Sequence, residues 1–173
     1  MDMELKGKTV KESRTVKASL ILPSDTNHHG TIFGGTIMSY VDEVSAIAAM
    51  RHSRRPVVTA SIDSVDFIVP AKLGFSVCVD AFVTSTGRTS VEVFVKIISE
   101  NLQTGERQLT ATSFVTFVAL DEHGKPTPVP PIIPETEEEV YLYQTAPQRI
   151  KMRRERRNAT QQFYDSLDIT KDI

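Results

Sequence analysis

A polar, glycine-containing loop runs directly into a long apolar helix pattern, and this stretch constrains the fold more than any other. From position 27 to position 49 it reads N-H-H-G-T-I-F-G-G-T-I-M-S-Y-V-D-E-V-S-A-I-A-A. Gly34 and Gly35 stand where the helix pattern begins, so we expect backbone N–H groups without intrahelical partners to face open space there. Such a helix start attracts an oxyanion or a polarised carbonyl.

A carboxylate lies inside the apolar helix pattern. Asp42 follows Gly35 by two turns, on a stripe that also carries methionine and alanine, whereas Glu43 points elsewhere and is expected to be solvated. Apolar neighbours would exclude water from the Asp42 carboxylate and raise its pKa, which makes it a candidate base or nucleophile. From spacing alone, an ordinary surface residue on an amphipathic helix is an equally good interpretation.

Strand patterns joined by short turns fill most of the remaining chain. They cover residues 15–22, 57–69, 75–85, 89–100 and 109–120. The second pattern changes phase near Asp63 and Ser64, where we expect a β-bulge or a strong twist. One strand, one long helix and four strands pack most economically as an antiparallel sheet covering a single helix, an α+β fold. A ferredoxin-like arrangement stays open, although it usually has a second long helix between strands.

Both ends of the chain differ in composition from the strand-rich middle. We predict a loosely attached N-terminal arm over residues 1–13, a domain over 14–130 and a C-terminal extension over 131–173. Five prolines in residues 121–134 predict a stiff extended link. Pro147 is expected to divide the extension into two helical pieces. The basic run from Arg149 to Arg157 is more typical of a solvated helix face than of a phosphate or nucleic-acid site.

Composition narrows the classes of protein further. The 173 residues carry a net charge of −2 with a sequence pI near 6.1, which argues against a nucleic-acid binder. The single cysteine, Cys78, excludes an internal disulfide and is expected to be a buried, inert thiol. Because no run approaches the ~20 apolar residues of a membrane span and no signal-peptide pattern is visible, we expect a cytoplasmic protein without a membrane partner. His28 and His29 are adjacent and make a poor ligand pair, so no metal is expected.

Three motifs agree in order and spacing with a known family. They are N-H-x-G-x-I-F-G-G-x-I-M-x-x-x-D-E from Asn27 to Glu43, S-V-D-F-x-x-P from Ser64 to Pro70, and T-G-R-T-S from Thr86 to Ser90. With them the chain resembles the hotdog-fold acyl-CoA hydrolases, specifically the bacterial YciA-type and cytosolic acyl-CoA thioesterase group. The resemblance implies a curved antiparallel sheet wrapped around one long central helix, followed here by a C-terminal helical extension.

The resemblance also implies an activity and a catalytic centre. The expected enzyme is an acyl-CoA thioesterase that releases a fatty acid and coenzyme A, with Asp42 as general base or nucleophile. Asn27 would meet Asp42 across the interface of a homodimer, and trimers of such dimers are common among relatives. Backbone N–H groups around Gly34 and Gly35 would polarise the thioester carbonyl. The alternative for Asn27 is a turn or cap residue that bonds its own backbone, which is a common use of asparagine.

Coenzyme A would enter only as part of the substrate and product, with no further cofactor required. The resemblance places Arg88, Thr89 and Ser90 on the side that holds the nucleotide, although a solvated turn arginine is an equal interpretation of Arg88. Four basic residues of the extension could also reach the nucleotide: Arg149, Lys151, Arg153 and Arg154. A non-catalytic acyl-CoA or nucleotide-binding regulator remains the main alternative function, and a hotdog dehydratase ranks below it.

Overall fold

A five-stranded antiparallel sheet packs around one long helix. The computed structural model describes residues 5–164, 166 and 167. Its helices are α1 (Gly34–Ser53) and α2 (Glu137–Tyr164). Its strands are β1 (Lys8–Thr9), β2 (Thr15–Leu20), β3 (Val57–Phe67), β4 (Ser76–Thr86), β5 (Ser90–Glu100), β6 (Arg107–Ala119) and β7 (Ile132–Ile133). The main sheet has the order β2-β4-β5-β6-β3, and every neighbouring pair in it is antiparallel. The α+β prediction is confirmed.

Alternation along the strands decides which side chains face α1. On β5, Val91, Val93, Val95 and Ile97 are fully buried in the same apolar cluster as residues of α1. The residues between them point to the other face of the sheet, because side chains alternate along a strand. The sheet therefore has an inner face on α1 and an outer face that α2 covers.

One edge of the sheet is formed by β3. Residues of this strand pair with β6 on one side, and among the described strands none pairs on the other. Val58 and Phe67 are 47% and 57% exposed. The β3–β6 register shifts between Thr59 and Ser61 and again between Ile62 and Ser64, which confirms the predicted irregularity. A long, exposed strand edge of this kind is a template for pairing with another chain.

The N-terminal arm is bound to the domain over residues 5–13, so the prediction of loose attachment is wrong for them; residues 1–4 lie outside the described residues. The short strand β1 pairs with β7 in parallel. Val10 is 1% exposed, and the Ser13 hydroxyl accepts a hydrogen bond from the Val83 amide at 3.1 Å. Apolar burial and a long-range hydrogen bond outweigh the polar composition of the arm.

The C-terminal extension forms one continuous helix rather than two pieces. Pro147 lies inside α2 and removes one backbone donor, but Leu142 and Ala146 are buried against the sheet. The Arg149 guanidinium donates to the Leu142 carbonyl at 2.6 Å and so satisfies a neighbouring acceptor. Packing of this turn on the sheet holds the helix together across the proline. Residues 165 and 168–173 of the extension lie outside the described residues.

The basic run on α2 is partly used in a buried ion network on the outer face of the sheet. Arg149 and Arg153 each lie 2.8 Å from one carboxylate oxygen of Glu92, which is 3% exposed. Arg153 also lies 2.9 Å from the Asp63 carboxylate, which Arg156 contacts at 2.8 Å. The predicted solvated face is therefore wrong for Arg149 and Arg153. Their guanidinium groups are engaged, which also argues against them as nucleotide ligands, whereas Lys151 and Arg154 are exposed.

Within the described residues, neither helix combines the length and the hydropathy that crossing a bilayer requires.

Candidate active site

The start of α1 presents backbone donors that no described residue uses. Phe33 caps the helix through its carbonyl, which accepts the amides of Thr36 at 2.9 Å and Ile37 at 3.2 Å. The N–H groups of Gly34 and Gly35 have no recorded acceptor in residues 5–164. A Cβ on Gly35 would lie 2.8 Å from the Phe33 ring, so a glycine is needed for this ring position. The predicted donor pair at the helix start is present in the structure.

An apolar cavity of about 180 Å³ adjoins this helix start. Its lining includes Ile32, Gly34, Ile37, Phe67, Pro70 and Thr110. The Phe67 ring lies over Gly34, since a Cβ on that glycine would be 3.5 Å from the ring. The cavity therefore adjoins the amide of Gly34, which has no acceptor among the described residues.

Asp42 lies on the surface of α1 and contacts β3. Its carboxylate is exposed in the single chain and accepts a hydrogen bond from the Thr59 hydroxyl at 2.9 Å. The predicted exclusion of water from Asp42 is therefore wrong within one protomer. Neighbouring Glu43 is also exposed and pairs with Lys17 at 2.6 Å, so two adjacent carboxylates have different partners. The hydroxyl orients the Asp42 oxygen beside the free edge of the sheet.

Sequence reasoning missed Thr59. It lies in a strand pattern rich in β-branched residues, where a threonine carries no functional signal of its own. Its contact with Asp42 depends on how β3 packs against α1 and on the register shift that follows Thr59. The change of phase in this strand pattern was the only unusual feature near Thr59. It predicted a β-bulge, but it did not indicate that Thr59 contacts Asp42.

Asn27 organises the loop that precedes α1. Its side-chain oxygen accepts the His29 amide at 2.9 Å, and its Nδ2 donates to the Thr31 hydroxyl at 3.0 Å. These bonds match the turn interpretation of Asn27. An asparagine amide has two N–H donors, so one donor remains for a ligand.

The β4–β5 turn places Arg88 on the surface. The Arg88 side chain is exposed, whereas Thr89 and Ser90 are half-buried. Their backbone is fixed: the Arg88 carbonyl accepts the Val129 amide at 3.0 Å, and the Thr89 carbonyl accepts the Ala119 amide at 3.0 Å. A rigid turn holds an exposed guanidinium toward solvent.

One protomer does not bring the predicted site residues into a single cluster. Gly34 and Asp42 are eight residues apart on α1, which is about 12 Å along the helix axis. The segment that contacts Arg88 also borders the opposite end of α1, near Ser53. The catalytic and nucleotide-binding candidates are thus distributed along the length of the helix.

The described residues contain no group of three or more metal-ligating side chains. His28 and His29 are exposed in the loop, with ring centroids 3.8 Å apart. Cys78 is half-buried rather than fully buried, and desolvation raises the pKa of its thiol, with Asp80 adding to the shift. A raised pKa lowers the thiolate fraction, so Cys78 is not an activated nucleophile.

The sequence is similar to known thioester hydrolases over nearly its whole length. The family model of the thioesterase superfamily matches residues 29–106, which include α1, β3, β4 and β5. A Bacillus subtilis relative, the uncharacterized acyl-CoA thioester hydrolase YkhA, is 54% identical over 161 residues, covering 93% of this chain and 94% of the relative. The chain belongs to the thioesterase superfamily.

Solved structures of this superfamily match the fold closely. A structure of an apo-hexameric acyl-CoA thioesterase has a TM-score of 0.86 and 55% identity, covering 88% of this chain and 97% of that one. A Staphylococcus aureus acyl-CoA hydrolase, in complex with butyryl coenzyme A, coenzyme A and coenzyme A disulfide, has a TM-score of 0.88 and 45% identity, covering 91% and 96%. Alanine variants of the same hydrolase, at one aspartate, one threonine and one asparagine, have also been solved. These matches confirm the predicted hotdog fold.

Proposed function

We propose that this thioesterase-superfamily protein hydrolyses acyl-CoA to a carboxylic acid and coenzyme A, with Asp42 as its catalytic carboxylate. The hydrogen bond from Thr59 to Asp42 is the observation that carries the role of Asp42, because it fixes a carboxylate on an exposed helix face. The three positions replaced by alanine in the Staphylococcus aureus hydrolase have the same residue types and the same spacing as Asn27, Asp42 and Thr59.

The reaction has a simple balance. The thioester carbonyl oxygen accepts the Gly34 and Gly35 amides, which stabilise the negative charge that develops on it. Asp42 takes a proton from water, the water oxygen attacks the thioester carbon, and the C–S bond breaks. The thiolate of coenzyme A then takes up that proton. Direct attack by Asp42 would give an anhydride that water hydrolyses to the same products.

The active site is completed by a second copy of the chain. A general base must lie within hydrogen-bond reach of the reacting water, about 3 Å, yet Gly34 and Asp42 of one α1 are about 12 Å apart. The glycine amides and Asn27 of one protomer would therefore face Asp42 of its partner. The unpaired edge of β3 beside Thr59 supports this arrangement. We propose a homo-oligomer built from such dimers. Three dimers would make a hexamer, the assembly named for the similar apo-hexameric acyl-CoA thioesterase.

The nucleotide of coenzyme A is proposed to approach the β4–β5 turn. The exposed Arg88 side chain and its rigid backbone support this role, since phosphate favours a fixed guanidinium donor. Thr89 and Ser90 add hydroxyl groups beside it. No metal takes part in the proposed reaction, and coenzyme A is part of the substrate and of the product. A cytoplasmic location stays a prediction from the sequence.

The first test compares the two adjacent carboxylates of α1. We expect wild-type protein to release thiol from a panel of short-, medium- and long-chain acyl-CoAs, and Asp42→Asn to lose at least about 100-fold in kcat, within the range that one acid–base group supplies. Glu43→Gln is the matched control, because it removes the same charge one residue away and should retain most activity. Thermal unfolding and size-exclusion chromatography verify that the variants stay folded and assembled.

Two results would contradict the proposal. Equal loss of activity in Asp42→Asn and Glu43→Gln would mean that Asp42 has no specific role. Binding of acyl-CoA by the wild type without release of thiol from any chain length would identify a regulator instead of an enzyme.

A further inference from the structure

A basic surface pocket lies at the end of α1 that is remote from the glycine pair. Its volume is about 390 Å³, within the range of small-molecule sites. The lining includes Lys6, Lys8, Ser53, Arg54, Arg55 and Pro130. None of the described lining residues is acidic, and four of them are cationic. No residue of this pocket takes part in the chemical step described above.

The cations of this pocket are held together at an energetic cost. Burial lowers the pKa of Lys8 and the charge of Arg54 lowers it further, whereas the charge of Glu12 acts in the opposite direction without cancelling them. Within residues 5–164, Lys6, Arg54 and Arg55 form no ion pair with a carboxylate. Like charges at close range repel each other unless an anion lies between them.

The backbone of Arg54 has an unfavourable conformation. Arg54 ends α1 with φ 55° and ψ 33°. Among the residues that the structure describes, it is the only non-glycine residue with positive φ. Helices commonly end with glycine in this conformation, because a side chain there is disfavoured. A strained arginine at this position indicates that its guanidinium is needed.

Neutralising the helix dipole does not account for four cations. Lys8 already donates to the His52 carbonyl at 2.6 Å and so satisfies the free end of α1. The backbone amide of Arg54 donates to the Met50 carbonyl at 2.8 Å, a bond that does not need the arginine side chain. Lys6, Arg54 and Arg55 are exposed, and all three line the pocket.

We propose that this pocket binds the phosphate groups of a phosphorylated ligand, preferably a diphosphate. Four cationic side chains around one pocket match the many acceptor oxygens of such a group. The pocket adjoins the Arg88 turn, because Val129, between two prolines of the pocket wall, donates to the Arg88 carbonyl at 3.0 Å. The ligand is either the nucleotide of the acyl-CoA substrate, a source that rests on the proposed function, or a free phosphorylated molecule.

Arg54→Gly is the most informative variant. Glycine adopts positive φ without strain, so this change should leave the melting temperature equal or higher while it removes one cation. We expect inorganic pyrophosphate to bind roughly tenfold more weakly in calorimetric titration, as for the loss of one hydrogen bond to a charged group. Binding to wild type should also weaken as salt is raised. Arg157→Gln, at an exposed position of α2, is the control for net charge, and Lys6→Gln is a second pocket variant.

Steady-state kinetics distinguish the two sources of phosphate. If KM for butyryl coenzyme A rises in Arg54→Gly while kcat is unchanged, the pocket holds the nucleotide of the substrate. If pyrophosphate binding falls and KM is unchanged, the pocket holds a free phosphorylated ligand. Pyrophosphate affinity that is absent in wild type, or equal in Arg54→Gly, Lys6→Gln and Arg157→Gln, overturns the proposal. Failure of the proposed function would instead appear as no thiol release by any of these proteins.

Discussion

His52 is a fully buried histidine near the end of α1. Its Nε2 lies 2.8 Å from the Pro130 carbonyl, which only accepts, so Nε2 carries the proton of the neutral ring. The Nδ1 atom is buried without a partner among the described residues. Protonation there would create a charged donor with no acceptor. Burial accordingly lowers the pKa of His52 below its usual 6.5, and the charge of Lys8 adds to this.

The free energy of unfolding should therefore fall as the pH falls below 6.5. In that range the unfolded chain binds a proton at His52 that the folded chain does not, whereas above pH 6.5 the contribution is complete. The loss is at most about 1.4 kcal/mol per pH unit and ends at the lowered folded pKa. Urea unfolding at pH 7.5, 6.5 and 5.5 measures it. His52→Gln should flatten this dependence, and His123→Gln, in an exposed turn, should not. Identical curves for wild type and His52→Gln would rule out His52 as the source.

The sequence allows a single residue to be proposed for the site where that position carries its own chemical signal. The glycine pair and Asp42 stand out because small residues at a helix start and a carboxylate in an apolar run are unusual. Thr59 and Arg54 could not be found in this way. The contact of Thr59 depends on strand packing, and the strain of Arg54 depends on the exact residue at which α1 ends.

At the scale of elements, α2 is held on the outer face of the sheet by charge as well as by apolar packing. Glu92 accepts from Arg149, Arg153 and the Thr84 hydroxyl, and the Arg149 guanidinium also lies 4.2 Å from the centre of the Phe114 ring. Removing one member of such a network leaves the remaining charges buried without a partner.

We expect Glu92→Gln to lower the free energy of unfolding by about 3 kcal/mol, the scale on which broken buried ion pairs act. Glu100→Gln is a matched control on the same strand, since it removes a surface pair with Arg107 and should cost less than about 1 kcal/mol. Denaturant unfolding followed by circular dichroism gives both values. Equal costs for the two variants would show that the network adds nothing beyond packing.

Elements were predicted well where local pattern and tertiary packing agree. The helix pattern and the five strand patterns all formed, since each is strongly apolar and has clear turn residues at its ends, and only the pattern of β3 changes phase. The errors lie where distant contacts decide the outcome. Pro147 did not divide α2, and the polar residues 5–13 are attached, because the sheet supplies partners that local sequence does not show.

At the scale of the whole molecule, the exposed β3 edge and the distribution of candidate residues along α1 both support the proposed dimer. Sequence spacing could place Asp42 on a helix, but it could not reveal which chain supplies its reaction partner. In the proposed dimer, that depends on a surface that both copies form together.

Mixing two inactive variants tests the shared site directly. Asn27→Ala and Asp42→Ala should each be nearly inactive alone, because each damages every active site of its own assembly. After refolding together in equal amounts, half of the dimers are mixed, and each mixed dimer has one intact site. Thiol release should return to about a quarter of the wild-type rate. If the mixture stays as inactive as its components while forming mixed assemblies, the two residues act within one chain.

The pairing of β1 with β7 has a practical consequence for anyone who purifies this protein. It fixes the start of the described chain beside the basic pocket, where Leu5 contributes to the lining. An affinity tag joined to Met1 would begin within about 14 Å of that wall, since four residues span no more. A polyhistidine sequence there adds titrating groups beside the basic pocket that the pyrophosphate titration probes. A tag after Ile173 follows α2 instead, so the choice of terminus determines which measurements can be trusted.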